Sequence, residues 1–309
     1  MRVAVVSESF LPHVNGVTGS VLQVLKHLRR TGHDARIIAP GAPPRICEGF
    51  EVVALPSVGL PGYSQVRLPV VVTGTLVREL ARFAPDVIHL ASPFVLGGPV
   101  VRAAASLDIP VVAIYQTDVA GFARRYGLTA ASNVAWRRIR SIHERAHITL
   151  APSPTAARNL EQHGVPRVQV WPRGVDTAAF SPGHRDAGWR ARLAPADEVL
   201  VGFVGRLAAE KQVENLAVLG DLPGVRLVVI GDGPERERLT QRLPGALFTG
   251  VLTGRAHMRV AVVSQSFLRV KAVTGSAPHV LRHLRWGFQP VHLSANVSAP
   301  ASAVVTESP

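Results

Sequence analysis

The amino-acid sequence predicts an α/β fold, in which parallel β-sheets are covered by helices on both faces. Short apolar runs rich in Val and Ile alternate with longer segments of helical periodicity along most of the chain, a pattern typical of buried parallel strands. Hydrophobic residues make up 47% of the 309 residues. A chain of this length and composition can form two domains of ordinary size.

The first domain is predicted to span residues 1–176 and to be Rossmann-like. Its first strand is RVAVV (2–6), and the next helix is predicted to begin at Ser20, which stands three residues before Gln23 as in a capping box. Further strands are predicted at ARIIAP, EVVALP, DVIHLA, PVVAIY, ITLAP and VQVWP. The remaining helices are predicted at about 72–83, 98–107, 131–146 and 154–163, the last capped by Ser153.

The second domain is predicted to span residues 177–257 and to contain only part of a Rossmann-like unit. The segment RGVDTAAFSP (173–182) interrupts the alternation of strands and helices and marks the boundary between the two domains. A new pattern follows, in the order strand VLVGFVG, helix EKQVENLAVLGDL, strand RLVVIG, helix PERERLTQRL and strand ALFTG. The predicted sheet therefore stops after about three strands.

Residues 258–309 are predicted to be a degenerate repeat of residues 1–44 followed by a disordered tail. MRVAVVSQSFL at 258–268 differs from MRVAVVSESFL at 1–11 only by Gln265 in place of Glu8, and the similarity resumes after a one-residue gap. The last residues, 296–309, have no helical period and little area to bury. A rearranged gene and an error in the sequence are alternative origins of the repeat.

Charge and composition restrict the classes of partner. The net charge of +13 comes from 31 arginines and only three lysines, and it is spread along the chain without the dense basic arm of a non-specific nucleic-acid binder. An anionic membrane surface is therefore favoured over nucleic acid. No apolar run reaches the roughly 18 residues that span a bilayer, no secretory signal is found, and Cys47 is the only cysteine. We expect a cytoplasmic protein.

Two motifs suggest chemistry but carry little weight. HERAH (143–147) matches the H-E-x-x-H zinc motif, yet His143 shares one helical face with apolar residues and no third ligand follows, so coincidence is the favoured interpretation. The first strand is followed by Gly16 and Gly19 without a G-x-G-x-x-G fingerprint, which weakens a dehydrogenase hypothesis. GDGPER (231–236) has a single G-x-G and is typical of a tight strand-to-helix turn. No metal is expected.

Phosphate binding is better supported. NGVTGS would bring backbone N–H groups at the start of the first helix close to an anion, because Gly16 has no side chain. Arg206 and Lys211 follow the first strand of the second domain, five residues apart. A guanidinium and an ammonium at that spacing suit a diphosphate leaving group.

Several long segments together resemble a known family. ESFLPHVNGVT, DVIHLASPFVLG, YQTDVAGFARRYG, APSPTAARNLEQHGV, RGVDTAAFSP and VGFVGRLAAEKQVENL are similar to retaining glycosyltransferases of family 4, especially bacterial GDP-mannose-dependent α-mannosyltransferases. The resemblance covers residues 1 to about 254. It implies a GT-B-like fold, a nucleotide-sugar donor, no cofactor or metal, and a lipid-linked acceptor reached from the inner face of the cell membrane.

The resemblance also implies roles for individual residues. Gly16, Arg206 and Lys211 would contact the donor diphosphate. Gln116 stands in the segment YQT, where many relatives carry a catalytic-site His, and Asp118 follows in the same loop. The family's mechanism is usually described as same-face attack, in which the departing diphosphate helps to take the acceptor proton.

The resemblance ends where relatives carry an E-x7-E motif that binds the donor sugar and ribose. This chain has the repeated segment there, so we expect impaired transfer. A non-catalytic glycosyltransferase relic that binds nucleotide or an anionic membrane is the alternative. A basic surface-binding protein without sugar chemistry is a third hypothesis, against which the basic pair in the second domain argues.

Overall fold

The computed structural model describes residues 1–60, 63–121, 129–172, 174, 181, 184, 186–193, 198–220, 222–252, 266–270, 291–294 and 304–305. The chain divides into two compact units, Met1–Gly174 and Val175–Pro309. The sequence predicted three segments with boundaries at 176 and 257, and these boundaries stay predictions.

The first unit contains an eight-stranded sheet with β1 near its centre. Its strands are β1 (Arg2–Ser7), β2 (Asp34–Pro40), β3 (Ile46–Cys47), β4 (Phe50–Leu55), β7 (Val87–Ala91), β8 (Val111–Ile114), β9 (Ile148–Ala151) and β10 (Val168–Val170), and β5 (Ser57–Leu60) and β6 (Tyr63–Pro69) form a separate antiparallel ribbon. The order is β10-β9-β8-β7-β1-β2-β4-β3, parallel except at β3. Successive strands lie on one side of β1 up to β4 and on the other from β7 onwards. The predicted α/β fold is confirmed.

Five helices of eight or more residues are described in this unit: α1 (Gly16–Arg30), α2 (Thr73–Phe83), α3 (Gly97–Ser106), α4 (Thr129–His143) and α5 (Pro154–Gln162). The predicted start of α1 at Ser20 is wrong. The Oδ1 atom of Asn15 accepts hydrogen bonds from the Val17 and Thr18 N–H groups at 2.9 and 3.0 Å, so the helix begins one turn earlier. The predicted cap of α5 is confirmed, because Ser153 Oγ accepts from the Ala156 N–H.

The two faces of the first sheet bury separate clusters, because successive residues of a strand point to opposite sides. Val5 packs with Val21 and Leu25 of α1, whereas Val6 packs with Leu80 of α2 and Val100 of α3. All six side chains are fully buried. This covering on both faces explains why the strands read as continuous apolar runs.

The second unit contains a six-stranded sheet in the order β13-β12-β11-β14-β15-β16. Its strands are β11 (Val199–Val204), β12 (Val225–Ile230), β13 (Leu247–Gly250), β14 (Ser266–Val270), β15 (Val291–Ser294) and β16 (Val304–Val305), and its helices are α6 (Ala187–Leu193), α7 (Ala217–Gly220) and α8 (Arg236–Arg242). The predicted helix EKQVENLAVLGDL is instead two 3₁₀ segments, Ala209–Lys211 and Val213–Leu216, followed by α7. Gln212 between them has φ 50°, a left-handed conformation that interrupts an α-helix.

The sheet of the second unit continues into the repeated segment. β14 pairs in parallel with β11, with Val201 opposite Ser266. The strand lies on SFLRV, and the repeated RVAVV run at 259–263 lies outside the described residues. Of the predicted disordered tail, the structure describes only Val304–Val305, which pair antiparallel with β15. The other residues of 296–309 lie outside the described ranges.

Candidate functional site

The carboxyl ends of β1, β7 and β8 bring three loops to one edge of the first sheet: residues 8–15, 92–96 and 115–118. The strand order reverses between β1 and β7, which is the place where doubly wound sheets bind ligands. Ser92, directly after β7, has φ 48° and donates or accepts a hydrogen bond with Thr117 at 2.6 Å between their hydroxyl oxygens. The loops after β7 and β8 are therefore tied to each other.

The first helix presents a backbone donor at this edge. Asn15 accepts from the N–H groups of Val17 and Thr18 and donates from Nδ2 to Ser9 Oγ at 2.6 Å. Gly16, the first helical residue, is exposed, and no described residue accepts a hydrogen bond from its N–H. That N–H, at the positive end of the helix dipole, is suited to an anion.

Gln116 lies beside α1. Its Nε2 donates to Ser20 Oγ at 3.2 Å, which links two positions 96 residues apart. Its Oε1 is buried and has no hydrogen-bond partner among the described residues. Gln116 also lines a small pocket together with Ser92, Phe94 and Thr117. A buried acceptor without a partner costs about 1–3 kcal/mol, so this atom is a candidate contact for a ligand hydroxyl.

Asp118 is engaged inside its own loop. Its Oδ1 accepts from Tyr115 OH at 3.2 Å and from the Gly121 N–H at 2.8 Å. Burial, with the Asp118 charge and hydrogen bond as further causes, raises the pKa of the Tyr115 hydroxyl. This geometry gives Asp118 a role in shaping the loop, and its predicted catalytic role stays a prediction.

Glu8 is a partly buried acidic residue that sequence reasoning did not select. Its carboxylate accepts hydrogen bonds from the N–H groups of Phe94, Val95, Leu96 and Gly97 at 2.5 to 3.1 Å. Burial raises the pKa of the carboxyl above its ordinary value, and the four backbone hydrogen bonds oppose that shift. The Glu8 to Gln265 difference between the two repeats was the only sequence signal for it.

In the second unit the loops after β11 and β12 lie against each other. The Leu207 N–H donates to Asp232 O at 2.9 Å. A Cβ atom on Gly231 would lie 1.9 Å from Gly205 O, and one on Gly233 would lie 2.2 Å from Leu207 O. The glycines of GDGPER therefore allow this close approach, as expected for a tight turn.

Arg206 and Lys211 extend from this loop pair. Both side chains are exposed, and Arg206 forms no hydrogen bond or ion pair with the described residues. Both predicted cations thus follow β11, Arg206 in the loop and Lys211 at the end of the 3₁₀ segment Ala209–Lys211. In this sheet the strand order reverses between β11 and β14, so the loop borders the ligand-binding end of the fold.

The two histidines of HERAH each form a hydrogen bond within the fold of the first unit. His143 is the last residue of α4, is buried, and hydrogen bonds through Nδ1 to Thr149 Oγ1 at 3.0 Å. Burial lowers its pKa to about 4. His147 lies beyond the helix and accepts a hydrogen bond from the Val111 N–H. Within the described ranges, no three His, Cys, Asp or Glu residues are placed to hold a metal ion.

The helices in the described part of the chain include none that is both long enough and apolar enough to cross a bilayer.

The chain is similar in sequence to proteins of one known family. Residues 14–179 match the family described as Glycosyltransferase Family 4. The chain is 50% identical over 262 residues to a GDP-mannose-dependent alpha-mannosyltransferase of Mycolicibacterium smegmatis, a match that covers 83% of this chain and 70% of the relative. A protein of the same name from Mycobacterium tuberculosis is 47% identical over 261 residues, covering 82% and 69%.

The fold has solved counterparts. The crystal structure of Anabaena HepE in complex with UDP and glucose superimposes with a TM-score of 0.65 at 16% identity, covering 87% of this chain and 73% of that one. This similarity supports the GT-B-like fold predicted from the sequence. Family match, sequence identity and fold lead to one conclusion: the chain belongs to glycosyltransferase family 4.

Proposed function

We propose that the chain binds GDP-mannose and transfers mannose slowly, with retention of configuration, to a lipid-linked acceptor. The donor and sugar are suggested by the names of its relatives in Mycolicibacterium smegmatis and Mycobacterium tuberculosis. The observation that carries the proposal is the buried Oε1 atom of Gln116, which has no hydrogen-bond partner among the described residues. Gln116 lies beside α1, whose first N–H, at Gly16, also has no acceptor within the described part of the chain.

Each of the two units carries its own candidate contacts for a donor diphosphate. The Gly16 N–H lies at the positive end of α1, where an anion is stabilised. Arg206 and Lys211 supply two positive charges, which stabilise the departing diphosphate most when its negative charge grows. Each would therefore contribute more to the transition state than to donor binding.

Gln116 would accept a hydrogen bond from a hydroxyl of the donor sugar through Oε1. In the same-face reaction the acceptor oxygen bonds to the anomeric carbon while the bond from that carbon to the diphosphate oxygen breaks. The acceptor proton passes to the departing diphosphate, so no protein nucleophile and no metal is required. Asp118 would shape the loop that holds Gln116.

The lipid-linked acceptor places the reaction at a membrane surface, which we propose to be the inner face of the cell membrane. The net charge of +13 supports attraction to anionic headgroups, at about 1 kcal/mol for each basic residue near the surface.

The test is a titration with GDP beside a transfer assay with radiolabelled GDP-mannose and a glycolipid acceptor. Replacing Arg206 and Lys211 together by Ala should weaken GDP binding on the order of 10²-fold, because each charged hydrogen bond contributes about 1.5–3 kcal/mol. Arg242→Ala, at an exposed arginine of α8, is the matched control and should bind as the parent does.

The measured rate of mannose transfer distinguishes an active mannosyltransferase from a non-catalytic chain that only binds the nucleotide. We expect GDP binding with little turnover, because the sequence resemblance ends before the sugar-binding carboxylates of relatives. Rapid turnover would identify an active mannosyltransferase. Binding without transfer would identify the non-catalytic form, and a chain that binds no GDP at all would contradict the proposal.

A further inference from the structure

Glu8 occupies the crevice where the strand order of the first sheet reverses. It follows β1, and its carboxylate lies against the first turn of α3, which follows β7. Glu8 Oε1 accepts from the N–H groups of Phe94, Leu96 and Gly97, and Oε2 accepts from that of Val95 at 2.9 Å. The N-terminal amides of α3 are therefore bound to the protein's own anion, whereas the Gly16 N–H of α1 has no acceptor among the described residues.

The loop held by Glu8 is also held from its other side. Arg138 of α4 donates from Nε to Phe94 O at 3.0 Å and from Nη2 to Val95 O at 3.1 Å. A Cβ atom on Gly98 would lie 2.7 Å from Arg138 Nη2, so the helix start packs closely on the guanidinium. Two charges of opposite sign thus hold one short stretch of backbone. The Glu8 carboxylate binds the backbone N–H groups, and the Arg138 guanidinium binds the backbone carbonyl groups.

The loop that carries Glu8 leads directly to the start of α1. Ser9, the next residue, accepts from Asn15 Nδ2 at 2.6 Å, and its carbonyl accepts from Ser7 Oγ at 2.7 Å. Asn15 in turn caps α1 at Gly16. We call the contact between the Glu8 carboxylate and the N–H groups of residues 94–97 the Glu8 clamp. At the far end of this clamp, Phe94 lines the same pocket as Gln116.

We infer that Glu8 is a positioning residue that holds the anion-binding turn at Gly16 and the wall of the Gln116 pocket in one fixed arrangement. This inference rests on the proposed function, because it concerns the same donor site. In this inference the partly buried carboxylate of Glu8 sets the spacing between a diphosphate contact and a sugar contact. A displacement of even about 1 Å between two such contacts lowers transfer strongly.

The clamp requires a carboxylate. All four partners are N–H donors, so each oxygen must accept. In Glu8→Gln one oxygen is replaced by an NH₂ group that faces an N–H donor and leaves at least one amide unpaired. The second copy of the repeat carries this very change at Gln265.

The experiment uses the full chain with Glu8→Gln, and Glu51→Gln as control, because Glu51 forms a surface ion pair with Arg36. Amide hydrogen exchange is measured over residues 13–20 and 94–97, and GDP affinity by titration. We expect faster exchange in both segments of Glu8→Gln and about tenfold weaker GDP binding, with neither change in the control. Faster exchange confined to 94–97 would overturn the inference.

Ser9→Ala provides a second variant that leaves the Glu8 carboxylate in place. It removes only the acceptor for Asn15 Nδ2, so exchange should rise over 13–20 and stay unchanged over 94–97. GDP affinity at parental strength in Ser9→Ala would show that the route from Glu8 to Gly16 is wrong. Where transfer is measurable, Glu8→Gln should also lower kcat about tenfold, because the misplaced diphosphate and sugar contacts stabilise the transition state more than the bound donor.

These outcomes are separable from those of the proposed function. A parent chain that binds no GDP contradicts the proposed function, and the exchange data on the two segments still decide whether Glu8 links them.

Discussion

At the level of single side chains, Gln116 combines a satisfied donor with an unsatisfied acceptor. The Nε2 atom is held by Ser20, and the buried Oε1 atom has no partner in the described residues. Such an acceptor destabilises the folded chain and is available to a ligand hydroxyl. A residue of this kind is expected to favour function over stability.

Replacing Gln116 by Met tests this balance. The change removes an unpaired acceptor, whose burial costs about 1–3 kcal/mol, and one ordinary hydrogen bond of about 1 kcal/mol. We expect the midpoint of thermal unfolding to stay level or rise, while affinity for GDP-mannose falls about tenfold.

Gln169→Met, at an exposed position in β10, serves as control and should alter neither quantity. Parental donor affinity in the Gln116 variant would exclude its amide from the sugar site.

At the level of elements, the start of α1 depends on one side chain. Asn15 caps the helix, and Thr18 Oγ1 reinforces the turn by donating to His13 O at 2.8 Å. The extra first turn brings Gly16 to the edge of the sheet, so the cap positions the proposed diphosphate contact as well as stabilising the helix.

Asn15→Ala should therefore lower the free energy of unfolding by about 1–2 kcal/mol, as loss of an N-cap does. Gln23→Ala, which removes the partner in the capping box expected from the sequence, should change it by less than about 0.5 kcal/mol, because Gln23 is exposed within the helix. Denaturant unfolding of both variants measures the difference. Equal losses would contradict the observed helix start.

At the level of the whole molecule, two buried histidines make stability depend on pH. Burial lowers the pKa of both His89 and His143 to about 4 from an ordinary value of 6.5. Between these values the unfolded chain binds protons that the folded chain does not, so stability is lost as pH falls from 6.5 to 4. The loss amounts to at most about 3 kcal/mol for each histidine.

The measurement is thermal unfolding of the full chain between pH 7 and pH 4. His143→Asn should reduce the dependence of the melting temperature on pH, and His27→Asn, at an exposed position of α1, should leave it unchanged. Glu8 contributes with the opposite sign, because its raised pKa lets the folded chain hold a proton more tightly. An identical pH dependence in parent and His143→Asn would refute the assignment.

The sequence by itself determined the fold class and the family. Strands such as β1 and β11 are continuous apolar runs because both faces of a parallel sheet are covered, and this pattern is local in the chain. The same holds for the positions of Gly16, Arg206 and Lys211, each of which follows a predicted strand or opens a predicted helix.

Only the tertiary structure decided how those elements meet. The clamp by Glu8 joins residues 86 to 89 positions apart, and Gln116 reaches Ser20 across 96. Position 231 must be glycine, because any side chain there would clash with Gly205 O on another loop. Such contacts depend on which strands are neighbours in the sheet, and a one-dimensional pattern of apolar residues does not contain that order. The Gln116 acceptor, unpaired among the described residues, and the partly buried carboxylate of Glu8 become visible only once the loops after β1, β7 and β8 lie side by side.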